Sequence, residues 1–234
     1  MEQSSFGRLV GVLVSPAQTF QSISQKPSWV VAMVVLIVVG VGVTMMMSGK
    51  MDWAEITRDS MEQRGQEVSE DQIEQIIDFQ EKFGPIMMIG GGAVGAPVVY
   101  LLLALVFMVL FKMLGGELDF VRSLSVVVHG MIPRAVLALL SLPVILGRDE
   151  LGFEELQDGS VILSNLGAFA PEEAGPALVA LLSSVDLFSI WVVILLAIGY
   201  SMVARVSRGA AVGGVIGLWA VYILGKVGLA ALGA

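Results

Sequence analysis

The charges of this chain fall in clusters, and between the clusters lie five runs that are almost free of them. Ser28 to Met47 carries no charge, and neither does the interval between Lys82 and Lys112. The interval from Arg122 to Arg148 holds only His129 and Arg134, a fourth run from about Ser184 to Ala204 has Asp186 near its start, and Gly209 to Leu232 contains only Lys226. A helix rises 1.5 Å per residue, so roughly 20 apolar residues cross a hydrocarbon core of about 30 Å, and each run is long enough. The pattern predicts an all-α, polytopic integral membrane bundle of five transmembrane helices, with spans at about 28–47, 85–111, 123–146, 184–204 and 209–232. Residues 1–27 form an N-terminal segment, and loops 48–84 and 147–183 join the spans on one side.

Composition closes the other routes. Of the 234 residues 56% are hydrophobic, and counting the 27 glycines while leaving out tyrosine raises this to roughly 66%, against about 45–50% for soluble domains. With 15% charged residues and no basic cluster, disorder, a coiled coil and a nucleic-acid partner are excluded. The absence of cysteine removes disulfides, thiolate zinc sites and cysteine nucleophiles, and a single histidine removes most other metal chemistry, so no cofactor is implied. The 13 methionines, several near the ends of spans one and two, read as apolar filler rather than as a copper site.

Five is odd, so the termini fall on opposite sides. Arg8, Lys26, Lys112, Arg122, Arg205 and Arg208 crowd short segments on one side, whereas five cations are spread over the two long loops of the other. The positive-inside rule then places the N-terminus in the cytoplasm and the C-terminus outside, in a bacterial inner membrane. The two outer loops carry four cations against ten acids and one against seven, so they hold −12 of a total of −8 and leave +4 on the rest.

The apolar stretch Leu9 to Val14 is too short for a cleavable signal and is followed by Pro16, Gln18 and Gln21, so it stays on the mature chain. Phe6, Leu9, Val10, Leu13, Phe20 and Ile23 recur at helical spacing, which fits either a short interfacial helix or a lead-in to the first span. In loop 48–84, Trp53 with Ile56 and then Ile73, Ile76, Ile77 and Phe83 mark two short amphipathic helices, separated near Gly65 and restarted by a capping box at Ser69 and Gln72. Their apolar stripes suit the chain's own spans, the membrane surface or a partner. Loop 147–183 is punctuated by Gly152, Asp158-Gly159, Gly167 and Pro171, with a turn at Asp158-Gly159. Its acids Glu154, Glu155, Glu172 and Glu173 lack calcium-loop spacing and read as a solvated surface.

Gly90, Gly92 and Gly95 match the dinucleotide fingerprint in letters only, because no βαβ unit can surround them in a membrane span. Gly91 with Gly95, and Gly209, Gly213, Gly217 and Gly225, instead form small-residue faces for close helix packing, against a neighbouring span or a second subunit. The same glycines with Pro97 predict tilt or a break in the first third of span two.

Arg134 lies about 12 residues from each charged end of its span, where an arginine costs about 2.5–3.5 kcal/mol on insertion scales. It must face the protein interior, a wet cavity or a counter-ion, and Asp186 is the nearest acid available. On this basis reversal of both charges should rescue either single reversal. His129 follows Ser125 by one turn, but a hydrolase would also need an orienting acid and oxyanion donors, so a back-bonded serine and a polar contact account for the pair. His129, Arg134 and Asp186 form the candidate intramembrane polar site.

Three stretches resemble proteins of the bacterial branch of the Yip family, named for interaction with Ypt/Rab GTPases in eukaryotes. They are Ser15-Pro16, Thr19-Phe20 and Lys26-Pro27-Ser28-Trp29; Gly115-Gly116 with Phe120, His129 and Ile132-Pro133; and Val185-Asp186-Leu187-Phe188 through Trp191, Gly199-Tyr200 and Val206-Ser207-Arg208. The resemblance implies a helical membrane domain of about five spans and transfers no catalytic residue. The eukaryotic trafficking role is not carried over, since only Met1 to Pro27 precede the first span. The expectation is therefore a non-enzymatic scaffold or partner-binding membrane component in contact with the lipid bilayer and with a membrane-protein partner or second copy. The alternative is a small-solute or ion permease, or an accessory subunit of an export complex, built around a polar cavity at Arg134.

Overall fold

A computed structural model describes residues 4–63, 68–151, 165–171 and 173–232. Among them the chain is helical, with ten α-helices, one short 3-10 turn at Leu166–Phe169 and no strand. The Gly65 break, the Asp158-Gly159 turn and the acids Glu154, Glu155 and Glu172 lie outside the described residues.

The N-terminal segment forms two helices, α1 (Ser5–Val14) and α2 (Pro16–Gln25), rather than one. Proline lacks an N–H and disfavours helical backbone in the residue before it, so Ser15 leaves the helix (φ −145°, ψ 60°) and Pro16 opens the next one. Helix α2 is tucked into the bundle, with Phe20 and Ile23 fully buried, while Phe6, Val10 and Val14 of α1 point outward.

Four helical stretches are long and apolar enough to cross a membrane: α3 (Val30–Ser48), α5 (Glu70–Met113), the pair α6 (Phe120–Gly130) and α7 (Ile132–Gly147) taken together, and α10 (Arg208–Ala231). The apolar helix α9 (Leu187–Val203) has 17 residues, about 25 Å, and starts three residues later than expected because Asp186 caps it. The short α8 (Pro176–Leu182) packs beside α10.

Two expectations for the second and third spans are corrected. Residues 70–84 do not form a separate loop helix: they are the first turns of the 44-residue α5, which runs unbroken through Pro85, Gly90 to Gly92 and Pro97. In hydrocarbon a helix is the only way for one segment to satisfy its own amides, so glycine and proline do not stop it there. The break falls instead in span three, at Gly130-Met131, just ahead of Pro133. Here α6 must approach α9 closely, since a Cβ on Gly130 would stand 2.6 Å from Leu196 Cδ2. Of the loop 48–84 helices only α4 (Trp53–Gln63) is separate, and it packs on α5, its Trp53 ring filling the space where Gly84 has no side chain.

The core centres on α6, α9 and α2. Tyr200 is fully buried between Phe107 and Phe111, at ring distances of 4.8 and 4.5 Å. Ser123 Oγ joins it at 2.9 Å and donates to the Ala104 carbonyl at 2.7 Å, which links α5, α6 and α9 by hydrogen bonds. Gly199 lets Phe20 and Val126 approach, as a Cβ there would meet Val126 Cγ1 at 2.6 Å.

The loops meet at two ends. At the near end, Gly115 (φ +83°) takes the left-handed cap after α5, and Gly116 admits the Ala204 carbonyl, 2.8 Å from where its Cβ would be. Glu117 N–H donates to the same carbonyl at 3.0 Å, and Arg122 Nε to the Ser24 carbonyl at 3.2 Å. At the far end, Leu151 N–H donates to the Lys50 carbonyl at 2.7 Å and Lys50 Nζ to the Arg148 carbonyl at 2.8 Å. The segments grouped together by their charges thus lie together.

Candidate functional site

A cavity of about 580 Å³ opens between α5, α7, α9 and α10, and two of the three candidate polar residues line it. Arg134 stands in the first turn of α7, directly after the break that Pro133 enforces. Its side chain is 50% exposed, and its Nη1 is 3.9 Å from Asp186 Oδ2, too long for a hydrogen bond. Asp186 is 6% exposed and is committed to its own helix. Its Oδ1 accepts from Phe188 N–H at 2.8 Å and Ser189 N–H at 2.9 Å, and its Oδ2 accepts from the Ser189 hydroxyl. The first amides of a helix have no partner within it, and this cap satisfies two of them at the start of the apolar α9.

The third candidate is elsewhere. His129 sits before the break, is 2% exposed, does not line the cavity, and pairs through Nδ1 with the Ser125 carbonyl at 2.8 Å. Ser125 Oγ donates to the Val121 carbonyl at 2.8 Å, so serine and histidine are each engaged with backbone. His129 and Arg134 are five residues apart, about 140° around a helix, so they leave it on different faces.

A residue missing from the candidate set takes its place. Lys226 of α10 lines the cavity and donates to Ser183 Oγ at 3.0 Å. The available signal was that Lys226 is to span five what Arg134 is to span three, the one cation inside an apolar run. Tyr100, Trp219 and Tyr222 add aromatic walls. Among the described residues no cluster of three or more His, Asp or Glu could hold a metal ion.

The glycines expected to pack make no close contact among the described residues: added Cβ atoms at Gly91, Gly95, Gly209, Gly213, Gly217 and Gly225 would meet nothing there within 4 Å. Close approach occurs instead at Gly130, Gly199 and Gly214, the last against Phe111 at 3.1 Å. A small-xxx-small pattern marks a permissive face, and only tertiary structure says whether a neighbour uses it.

A second surface lies beyond the far end, where residues 70–84 carry α5 about 22 Å past its apolar segment, with α4 alongside. The Phe79 and Phe83 rings lie 5.0 Å apart there, tilted by 37°, and are 51% and 39% exposed. The two helices carry Glu55, Asp59, Glu62, Glu70, Asp71, Glu74, Asp78 and Glu81 against Arg58 and Lys82, whose Nζ lies 5.5 Å from the centre of the Phe83 ring.

Long apolar helices, a buried polar network and a polar cavity between helices define a multi-pass helical membrane protein, whose surroundings are the lipid bilayer. Within that class the chain belongs to the Yip1 domain family, which matches residues 10–229. It is similar to Membrane protein YknW of Bacillus subtilis (strain 168), with 25% identity over 203 residues, covering 86% of this chain and 80% of that protein. No solved structure matches the chain significantly.

Proposed function

We propose that this protein is a non-enzymatic, five-span component of a bacterial inner membrane that acts as a scaffold by binding a partner protein at its outer face. Helix α9 is the fourth span, residues 28–234 form one membrane domain, α1 lies in the interface with Phe6, Val10 and Val14 toward lipid, and the N-terminus is cytoplasmic. The observation that carries the reading is the acidic α4–α5 hairpin, which presents Phe79 and Phe83 beyond the apolar segment of α5. An exposed aromatic pair on a hairpin rich in carboxylates suits a partner with an apolar centre and a basic rim.

Copurification from mild detergent tests this. A stoichiometric partner is expected, and Phe79→Ser with Phe83→Ser should reduce its recovery at least about ten-fold. A homogeneous lone protein would contradict the scaffold.

A second reading, a small-solute or ion permease or an accessory subunit of an export complex, draws support from Arg134, half-exposed on a cavity beside a helix break. Solute or ion uptake into vesicles containing the purified protein, lost in Arg134→Gln, would favour it.

A further inference from the structure

The cavity has a polar end and an apolar end. Helices α5 and α10 touch where Gly214 backs on Phe111 and Leu110, and they part toward the far end. On α10 the lining runs from Val215 to Lys226, about 16 Å along the helix, and on α5 from Phe107 back to Val99. Phe107, Leu196 and Val215 close the vertex, whereas Arg134, Lys226, Asp186, Ser183, Tyr100 and Tyr222 stand toward the opening. Lys226 is about 27 Å along α10 from Arg208, near the level where a 30 Å core ends. The cleft therefore has the polarity and the depth of half a bilayer.

Among the described lining residues two cations face one carboxylate, and that carboxylate already accepts three hydrogen bonds from Phe188 and Ser189. The Arg134 guanidinium makes no hydrogen bond among the described residues, leaving its donors directed at the cavity, and Lys226 has two N–H groups beyond the one given to Ser183. A planar guanidinium and an ammonium that converge from two helices suit a phosphate or carboxylate. The volume, about 580 Å³, lies in the range of about 300–1,000 Å³ typical of small-molecule sites.

We propose that this cavity binds an anionic amphiphile, its phosphate or carboxylate head held between Arg134 and Lys226 and its chain lying down the cleft between α5 and α10 toward Phe107 and Val215. The site is separate from the α4–α5 hairpin, so it stands or falls independently of the scaffold.

The test uses the purified full chain in an uncharged detergent, titrated by native mass spectrometry with hexadecyl phosphate, hexadecylphosphocholine and palmitate. Hexadecyl phosphate should bind one to one and at least about ten-fold tighter than its zwitterionic counterpart, a difference of about 1.4 kcal/mol. Arg134→Gln and Lys226→Gln should each weaken it about ten-fold, and Arg134→Lys should retain most of the affinity. Palmitate binding as tightly as the phosphate supports a fatty acid source, and preference for the phosphate supports a phospholipid-type one. Thermal unfolding confirms that each variant is folded, and Lys226→Gln serves alone where Arg134→Gln is not. Equal binding of the two hexadecyl probes would overturn the assignment, as would a folded Lys226→Gln protein that binds hexadecyl phosphate undiminished.

Discussion

At the near end of the bundle Arg8 is 3% exposed and pairs with no acid among the described residues. Its Nη1 donates to the Lys26 carbonyl at 2.8 Å and to Ser28 Oγ at 2.7 Å, and its Nη2 donates to Ser22 Oγ at 2.8 Å. At the far end Arg134 is half-exposed, and among the described residues its close partner is a carboxylate 3.9 Å away that is occupied elsewhere. Both are arginines on apolar helices, yet one ties the loop after α2 to α1 and the other leaves its charge facing a cavity. A buried cation held by neutral acceptors is a structural fastening, whereas one with unused donors on a cleft is available to a ligand.

The sharpest way to break this contrast is Arg8→Ala. It removes three charge-assisted hydrogen bonds and strands their acceptors, so unfolding in detergent should lose more than about 2 kcal/mol. Asp186→Ala comes next: loss of the α9 cap should cost about 1–2 kcal/mol, whereas Asp186→Asn, which still caps, should stay within about 0.5 kcal/mol. This also changes the double charge reversal expected from the sequence. Arginine at 186 would abolish the cap, so failure of that rescue would not disprove the proximity of the two groups. Arg134→Gln should alter stability by less than about 1 kcal/mol, because the contact it loses is long and solvent-open. A drop as large as that of Arg8→Ala would erase the distinction.

The smallest effect concerns Asp119, the cap of α6. Partial burial pushes its carboxyl up, but hydrogen bonds from the Arg122 N–H and guanidinium, the Arg122 charge and the Val121 N–H outweigh this and hold it below the usual carboxylate range. Its stabilising contribution is therefore complete above the ordinary pKa of about 3.9 and fades as pH falls through the lowered folded value. Asp119→Asn, which still caps but carries no charge, should lose this small contribution at neutral pH and match the unsubstituted protein below the acid window; an unchanged fall in stability across that window in the variant would contradict this.

The charge brackets around 28–47 and 209–232 translated almost directly into α3 and α10, because in a membrane the hydrocarbon core and helix rise leave little freedom. The start of α5 at Glu70 was legible in the Ser69 and Gln72 capping box, but not its continuity with the span, since polar residues that carry a helix beyond the apolar zone read as a separate element. That His129 and Arg134 leave the helix on different faces was legible from their spacing, about 140° around a helix, whereas the break at Met131 was not. The pairing of Arg134 with Lys226 across the cavity was illegible for a simpler reason. Residues so far apart in the chain meet only through packing of α7, α9 and α10, and one sequence carries no direct record of that.

In the proposed five-span arrangement the ends of the bundle lie on opposite faces of the membrane and the short α9 crosses between them. The chain has no cysteine, so single cysteines at Glu173 and Arg208, exposed positions flanking α9, can be labelled in intact cells with a membrane-impermeant maleimide. The account predicts that Glu173→Cys reacts from outside and that Arg208→Cys reacts only after permeabilisation. Reaction of both from the same face would mean that α9 does not span the bilayer, and the five-span arrangement would be wrong.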